Sequence, residues 1–194
     1  ENWMTAVKAG HTFVTVGPLV DFAVAGQPPG QRVDLAAGGG TVDVTWHAES
    51  VSVPIATVEI VVGGLVHDSV KVDGLVANGS ASVYIDSSSW VAVRVRGGYR
   101  TEARDQIAAH TSAVQVCVDG ARPWADADAS VVLAQIEGAL AYVDTLAPRP
   151  AENRHRKLRA TLESAYNRFH QMMHRHGVFH DHSPVHTHHE PYEH

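Results

Sequence analysis

Histidine is the residue type in this chain whose number and spacing could do chemistry. Nine of the fourteen histidines lie between His170 and the C-terminus. His170 and His174 are four residues apart, so on a helix their rings project from the same face and could share a divalent metal ion. We predict a metal-ligand set drawn from this C-terminal region: His170, His174, His176, His180, His182, His186, His188 and His189.

The chemistry of imidazole limits which metals this tract would take. Neutral imidazole is a borderline ligand, so we expect zinc, nickel or copper. Three interpretations stay open: a physiological metal site, incidental binding by an unstructured tract, and an interaction tail whose charge changes between about pH 5 and 7. A catalytic metal site also needs an open coordination position and a nearby base, and the sequence shows neither beside these histidines.

The rest of the chain shows no catalytic motif. The sequence has no Gly-x-Ser-x-Gly elbow, His-Glu-x-x-His, Cys-x-x-Cys or phosphate-binding loop. His110 and Thr111 place an imidazole beside a hydroxyl, but adjacent residues on a strand point to opposite faces. The single cysteine, Cys117, lies in an alternating apolar stretch and is expected to be buried. We therefore predict no catalytic and no cofactor-binding residues here.

The elements that would position these residues fall into two patterns. In residues 11–122, short alternating segments rich in β-branched residues are separated by turn formers, which predicts an antiparallel Ig-like β-sandwich in a mainly β fold. Gly63 and Gly64 are predicted to join two strands as a hairpin turn. The predicted strands are 11–16, 19–25, 41–47, 56–62, 65–70, 80–85, 90–96 and 113–118.

Helical periodicity replaces this pattern at about residue 123. One helix is predicted to begin at Asp126 or Asp128 and to stop before the proline pair at 148–150, and a second is predicted over 151–176. Their short connection predicts an antiparallel pair, over 123–177, packed on the sandwich. Residues 1–10 are predicted to be the end of an upstream helix, and residues 178–194 a His-rich tail too polar to fold alone.

Bulk composition bears on partners and location. The net charge of −6 gives no basic footprint, so we expect no nucleic acid partner. No apolar run reaches the roughly 18 residues of a membrane span, and we expect a soluble domain. The start of the sequence has no export signal, although export stays an alternative if a targeting segment was removed. The sequence assigns no compartment.

Three collinear segments resemble one known family. Residues 3–19 read WMTAVKAGHTFVTVGPL and are similar to the W-x-x-A-x-x-x-G-R-T-F-V-T-N-G-P-L stretch of CehA/McbA-type metallohydrolases, members of the PHP superfamily. Residues 109–116, AHTSAVQV, resemble that family's A-H-T-S-P-V-Y-V strand. Residues 58–64, VEIVVGG, resemble its L-E-I-V-x-N-G hairpin. With the closing helices, the resemblance runs from Trp3 to about Met173.

The resemblance implies an accessory role. In that family a PHP barrel upstream of the first segment carries the metal ligands and performs metal-assisted hydrolysis of an ester, carbamate or phosphoester. None of those ligands has a counterpart here, so the resemblance implies the C-terminal accessory portion, separated from its barrel and non-catalytic on its own. The chain departs from the family at His11, Val16 and Ala113, where the family has Arg, Asn and Pro.

The expected partners follow from these alternatives. The accessory interpretation implies a PHP catalytic barrel as partner. The alternative is a free-standing metal-binding protein, or a structural protein that self-assembles with identical subunits through exposed strand edges.

Overall fold

A computed structural model describes residues 2–98, 106–148 and 151–179 of the chain. The chain divides into two compact units, Glu1–Pro123 and Trp124–His194. Strands dominate the described part of the first unit, and two long helices make up most of the described part of the second.

The first unit has one short helix and ten strands in its described residues. The helix, α1, spans Asn2–Lys8. The strands are β1 Phe13–Thr15, β2 Leu19–Val24, β3 Arg32–Leu35, β4 Gly40–Glu49, β5 Ile55–Val62, β6 Leu65–Gly74, β7 Val76–Ile85, β8 Ser89–Gly97, β9 Gln106–Thr111 and β10 Val114–Val118.

These strands form two sheets. The smaller has the order β2-β4-β7 and is antiparallel throughout. The larger is centred on β8, which pairs with β5 along one edge and with β9 and β10 in succession along the other. β6 extends this sheet beyond β5, β1 pairs with β9, and β3 pairs with β10. The pairing of β3 with β10 is parallel, and the other pairings are antiparallel.

The two sheets share one hydrophobic core, which makes the unit a β-sandwich. Alternate residues of β4 are buried, including Val44 and Trp46, as period-two alternation requires of a strand with one face inward. Val58 of β5 and Val93 of β8 join the same cluster from the larger sheet. Burial of each such aliphatic side chain stabilises the fold by roughly 1.5–3 kcal/mol.

A turn predicted from the sequence joins β5 and β6. Gly63 and Gly64 have φ angles of +56° and +92°, and Val62 pairs with Leu65 across them. Positive φ at both central residues is the requirement of a type I′ hairpin, which glycine meets without steric cost. The glycine pair therefore sets the register of this hairpin.

The second unit is an antiparallel helical pair, α2 Asp126–Thr145 and α3 Glu152–Arg175. Near the end of α2, the Val143 carbonyl oxygen lies 3.0 Å from His155 Nε2 at the start of α3. The apolar cluster between the helices includes Leu140 and Met173. α3 ends at Arg175, and Gly177 follows its C-cap His176. The φ of +77° at Gly177 allows the Val178 N–H to donate to the Met173 carbonyl.

Several strands differ from the sequence prediction. β3 and β9 were missed, and the strand predicted over 11–16 is only the three residues of β1. β3 is a short, half-exposed strand at the sheet edge, and β9 is built partly from alanines, so neither carries the β-branched alternation that marks a strand. Among the described helices, none is both long and apolar enough to cross a membrane.

Candidate functional site

The two histidines predicted to share a helix face lie together on α3. The ring centroids of His170 and His174 are 4.2 Å apart, with the ring planes tilted by 54°. This proximity follows from the helix, since residues four apart lie one turn above each other. His170 is half-buried and His174 is exposed, so solvent and ions reach the pair from the His174 side.

The buried side of the pair is closed by Tyr166. Its ring stacks on His170 with centroids 5.6 Å apart and planes within 9° of parallel. Burial, and then the negative charge of Glu137 on α2, raise the pKa of Tyr166. A phenol with a raised pKa stays neutral at physiological pH, so the ring that stacks on His170 is uncharged.

His176, the third predicted ligand of this region, lies against a different ring. Its ring stacks on Trp124, with centroids 4.1 Å apart and planes within 7° of parallel. In the part of the chain that the structure describes, no three His, Cys, Asp or Glu side chains form a group that could hold a metal. The remaining predicted ligands lie outside the described residues: His180, His182, His186, His188 and His189.

The described chain returns to the histidine pair after α3 ends. The ring of Phe179 lies against His174, with centroids 5.2 Å apart. The next residue in the sequence is His180. The pair therefore offers two imidazoles, half of a tetrahedral zinc shell, close to the point where the His-rich sequence begins.

The two end segments of the family resemblance meet in the first unit. β1, within residues 3–19, pairs with β9, which overlaps residues 109–116. The Ser112 N–H donates to the Thr12 carbonyl at 2.9 Å. The Thr12 and Ser112 hydroxyls are 2.7 Å apart. Segments about one hundred residues apart in the sequence thus form one hydrogen-bonded junction.

Two glycines hold this junction against the loop before β3. Gly10 and Gly30 have φ angles of +74° and +82°, and their backbones cross so closely that a Cβ atom on Gly30 would lie 2.0 Å from the Ala9 carbonyl oxygen. The Gly30 N–H donates to the Ala113 carbonyl at 2.9 Å. Any larger residue at Gly30 would therefore displace the backbone that follows α1.

His110 and Thr111 have structural surroundings at the same junction. The Thr111 hydroxyl is buried and accepts a hydrogen bond from the Val93 N–H at 3.1 Å. His110 is exposed on the other face of β9. The two side chains therefore do not converge on one atom. Cys117 is buried in β10, as predicted.

One buried charge cluster was not found from the sequence. Glu59 of β5 is buried and accepts hydrogen bonds from Arg94 Nε at 2.5 Å and Arg96 Nε at 2.9 Å, both on β8. The signal was present, because two arginines at period-two spacing lie on one face of a strand. The sequence does not show that Glu59 is their partner, because this pairing depends on the register of β5 against β8.

Comparison with known proteins gives fold-level similarity at most. No family model matches the chain, and no curated protein matches it. Among solved structures, the fibronectin(III)-like modules of Clostridium thermocellum CbhA are 18% identical with a TM-score of 0.32, covering 54% of this chain and 100% of that one. A crystallised engineered protein is 19% identical with a TM-score of 0.30, covering 54% of this chain and 21% of its own length.

Proposed function

We propose that this chain is the C-terminal accessory portion of a PHP-type metal-dependent hydrolase and is not catalytic on its own. The observation that carries the proposal is the junction between residues 3–19 and 109–116. These two family-like segments are joined by the β1–β9 pairing and by the contacts between Thr12 and Ser112. The two segments that resemble the family are therefore in contact in the folded chain. This contact supports a relationship to the family more than two unconnected sequence motifs would.

The exposed face of α1 supports a partner at this end of the first unit. Trp3 is 73% exposed, and Met4 and Val7 on the same face are also exposed. On β1 and just after it, Val14 and Val16 are exposed as well. A seven-residue helix is too short to be stable from its own hydrogen bonds, so we infer that this apolar face packs against another body. A catalytic barrel is the partner that the resemblance implies.

The barrel and this chain would have separate roles. In this proposal the metals that activate water against an ester, carbamate or phosphoester belong to the barrel. This chain would shape or cover the barrel's pocket, or mediate assembly. We also propose that the β-sandwich of the first unit is Ig-like, as the sequence predicts.

The test is to isolate the native protein with antibodies raised against this chain. We expect a polypeptide larger than 20.9 kDa, or a complex with a separate barrel, whose hydrolysis of bis(p-nitrophenyl) phosphate or p-nitrophenyl acetate is lost with chelator. The isolated 194-residue chain should show no hydrolysis with added zinc or manganese. A native 20.9 kDa polypeptide recovered without a barrel, or hydrolysis by the isolated chain, would contradict the proposal.

A second candidate function is divalent-metal binding by the His-rich region. It is favoured by the contact between His170 and His174, and by the contact of His174 with Phe179, which precedes His180 in the sequence. We expect zinc and nickel to bind saturably in the sub-micromolar range in calorimetry. The affinity should fall in the His170→Ala/His174→Ala variant and in a chain ending at Gly177, and should be unchanged in a His47→Ala/His67→Ala control.

The metal-binding candidate has clear contrary outcomes. Weak, non-saturating binding, or equal affinity in the His47→Ala/His67→Ala and His170→Ala/His174→Ala variants, would contradict a specific site. Concentration-dependent oligomers that persist in chelator would instead favour self-assembly through strand edges. β6 is one such edge, because among the described strands it pairs only with β5.

A further inference from the structure

A cleft of about 720 Å³ lies in the first unit beside the junction formed by Thr12 and Ser112. Its walls come from segments far apart in the sequence, including the end of α1, the loop at Gly30, the start of β8 and the ends of β10. The volume falls within the roughly 300–1,000 Å³ typical of small-molecule sites. The cleft is therefore large enough for a ligand of several to a few tens of atoms.

The walls of the cleft are held in place before any ligand binds. Gly10 and Gly30, whose backbones cross, both line the cleft, and the Gly30 N–H donates to the carbonyl of Ala113, another lining residue. Ser112, also in the lining, is fixed by its hydroxyl contact with Thr12. A cleft bounded by hydrogen-bonded backbone loses little entropy when it accepts a ligand, so it is preorganised for binding.

Two cations line the cleft without acidic partners. Lys8 and Arg122 both contribute to the lining, and no acidic residue is among the described residues that line the cleft. No salt bridge to either cation is found within the described ranges. Lys8 also lies in the last turn of α1, where a cation is favoured, but Arg122 follows β10 and has no helix to stabilise. This local positive charge, in a chain of net charge −6, is suited to an anion.

The third component is an aromatic surface. Trp90 of β8 is half-buried and lines the cleft beside Gln115, its cross-strand partner on β10. An indole face offers stacking to a planar ring, and the Gln115 amide can donate to an oxygen acceptor. A simple anion such as phosphate would use the cations and leave the indole unused.

We propose that this cleft binds a small aromatic carboxylate. The carboxylate pairs with Lys8 and Arg122, and the ring stacks on Trp90. This site does not depend on a hydrolytic barrel, because every residue in it belongs to the first unit of this chain. It is accordingly a property of the chain itself, whatever the native protein contains upstream.

The test is to titrate the full chain with benzoate. Binding is measured by calorimetry and by the NMR chemical shift of the Trp90 indole N–H. Trp90→Leu identifies that resonance. We expect saturable binding with a Kd below about 1 mM, a shift of the Trp90 signal, and weaker binding as salt is raised. Benzamide, which has the same ring without the charge, should bind at least about fivefold more weakly.

Matched variants separate the cations from general surface charge. Lys8→Gln and Arg122→Gln should each weaken benzoate binding about fivefold, and the double variant should abolish saturation. Trp90→Leu should weaken it about three- to tenfold. Lys71→Gln, which removes an exposed cation on β6 outside the cleft, should leave the affinity unchanged, and the Lys8, Arg122 and Lys71 variants should keep the thermal unfolding midpoint of the parent.

Several results would overturn the proposal. These are no saturable benzoate binding up to about 10 mM, equal affinity for benzamide, or an unchanged affinity in the double variant. Saturable binding of inorganic phosphate without binding of benzoate would also overturn it, because it would assign the cleft to a simple anion.

Discussion

The two units of the chain are stabilised by different kinds of contact. The sandwich buries a largely aliphatic core, with valines such as Val44, Val83 and Val93 fully enclosed between its sheets. The helical pair buries fewer side chains, and aromatic and histidine rings stack along it, as His176 does on Trp124. Because Tyr166, whose pKa is raised, lies in the helical pair, the comparison indicates that alkaline pH acts on the helical unit and that cavities act most strongly on the sandwich.

The largest effect is expected from a cavity in the sandwich. Trp46 is 5% exposed and its indole packs against Gly79, its cross-strand partner. Trp46→Ala should lower the free energy of unfolding by about 3–5 kcal/mol in urea titration, because the site cannot collapse to fill an indole-sized space. Tyr84→Ala, on an exposed face of β7, is the control and should cost far less. A comparable loss in both variants would remove the distinction between core and surface.

A smaller effect is expected from the equivalent deletion in the helical pair. Met173 is fully buried between α2 and α3, so Met173→Ala should cost about 2–4 kcal/mol. If the two units unfold separately, hydrogen exchange should accelerate in α2 and α3 and stay unchanged in β4 and β8. Met172→Ala, on the more exposed neighbouring position, is the matched control. Acceleration throughout the sandwich would show that the units unfold as one.

The buried charge cluster tests whether the sandwich also depends on polar contacts. Glu59→Gln leaves Arg94 and Arg96 without their carboxylate, and we expect a loss of about 1–2 kcal/mol, since both arginines keep partial access to water. Glu49→Gln removes an exposed carboxylate 3.6 Å from His47 and should change stability much less. Chemical denaturation at low and high salt measures both. Equal losses would mean that Glu59 acts as a surface charge.

The smallest effect concerns the helical pair at alkaline pH. The pKa of Tyr166 is raised in the folded chain, so the folded state holds its phenolic proton more tightly than the unfolded state. That contribution to stability is complete below the ordinary tyrosine pKa of about 10 and is lost as pH rises from there toward the folded value. Tyr166→Phe should remove this part of the alkaline loss in thermal unfolding, whereas Tyr142→Phe should not. An identical alkaline profile in Tyr166→Phe would contradict the assignment.

Local pattern predicted the elements whose own sequence determines them. The mainly β fold, the Gly63-Gly64 turn and both long helices follow from periodicity and turn chemistry. β3 and β9 were missed because an edge strand and an alanine-containing strand depend on their neighbours more than on their own residues. That the helical pair packs on the sandwich stays a prediction.

The sites show the same limit. The contact of His170 with His174 was predictable because both lie within α3, where helical spacing fixes their geometry. His176 lies one residue beyond Arg175, the last residue of α3, so that spacing no longer determines where its ring points. The cleft between Lys8 and Arg122 was not predictable, because its walls converge only after β8, β10 and the Gly10–Gly30 crossing have formed.

The crossing of Gly10 with Gly30 also bears on how α1 would carry a partner. When a helix is joined to a domain by a flexible loop, a protein bound to the helix stays near the domain but can take many orientations relative to it. Here the residues after α1 are clamped between the loop before β3 and the β1–β9 pairing. Anything bound to the exposed face of α1 would therefore be mounted at a fixed angle to the sandwich.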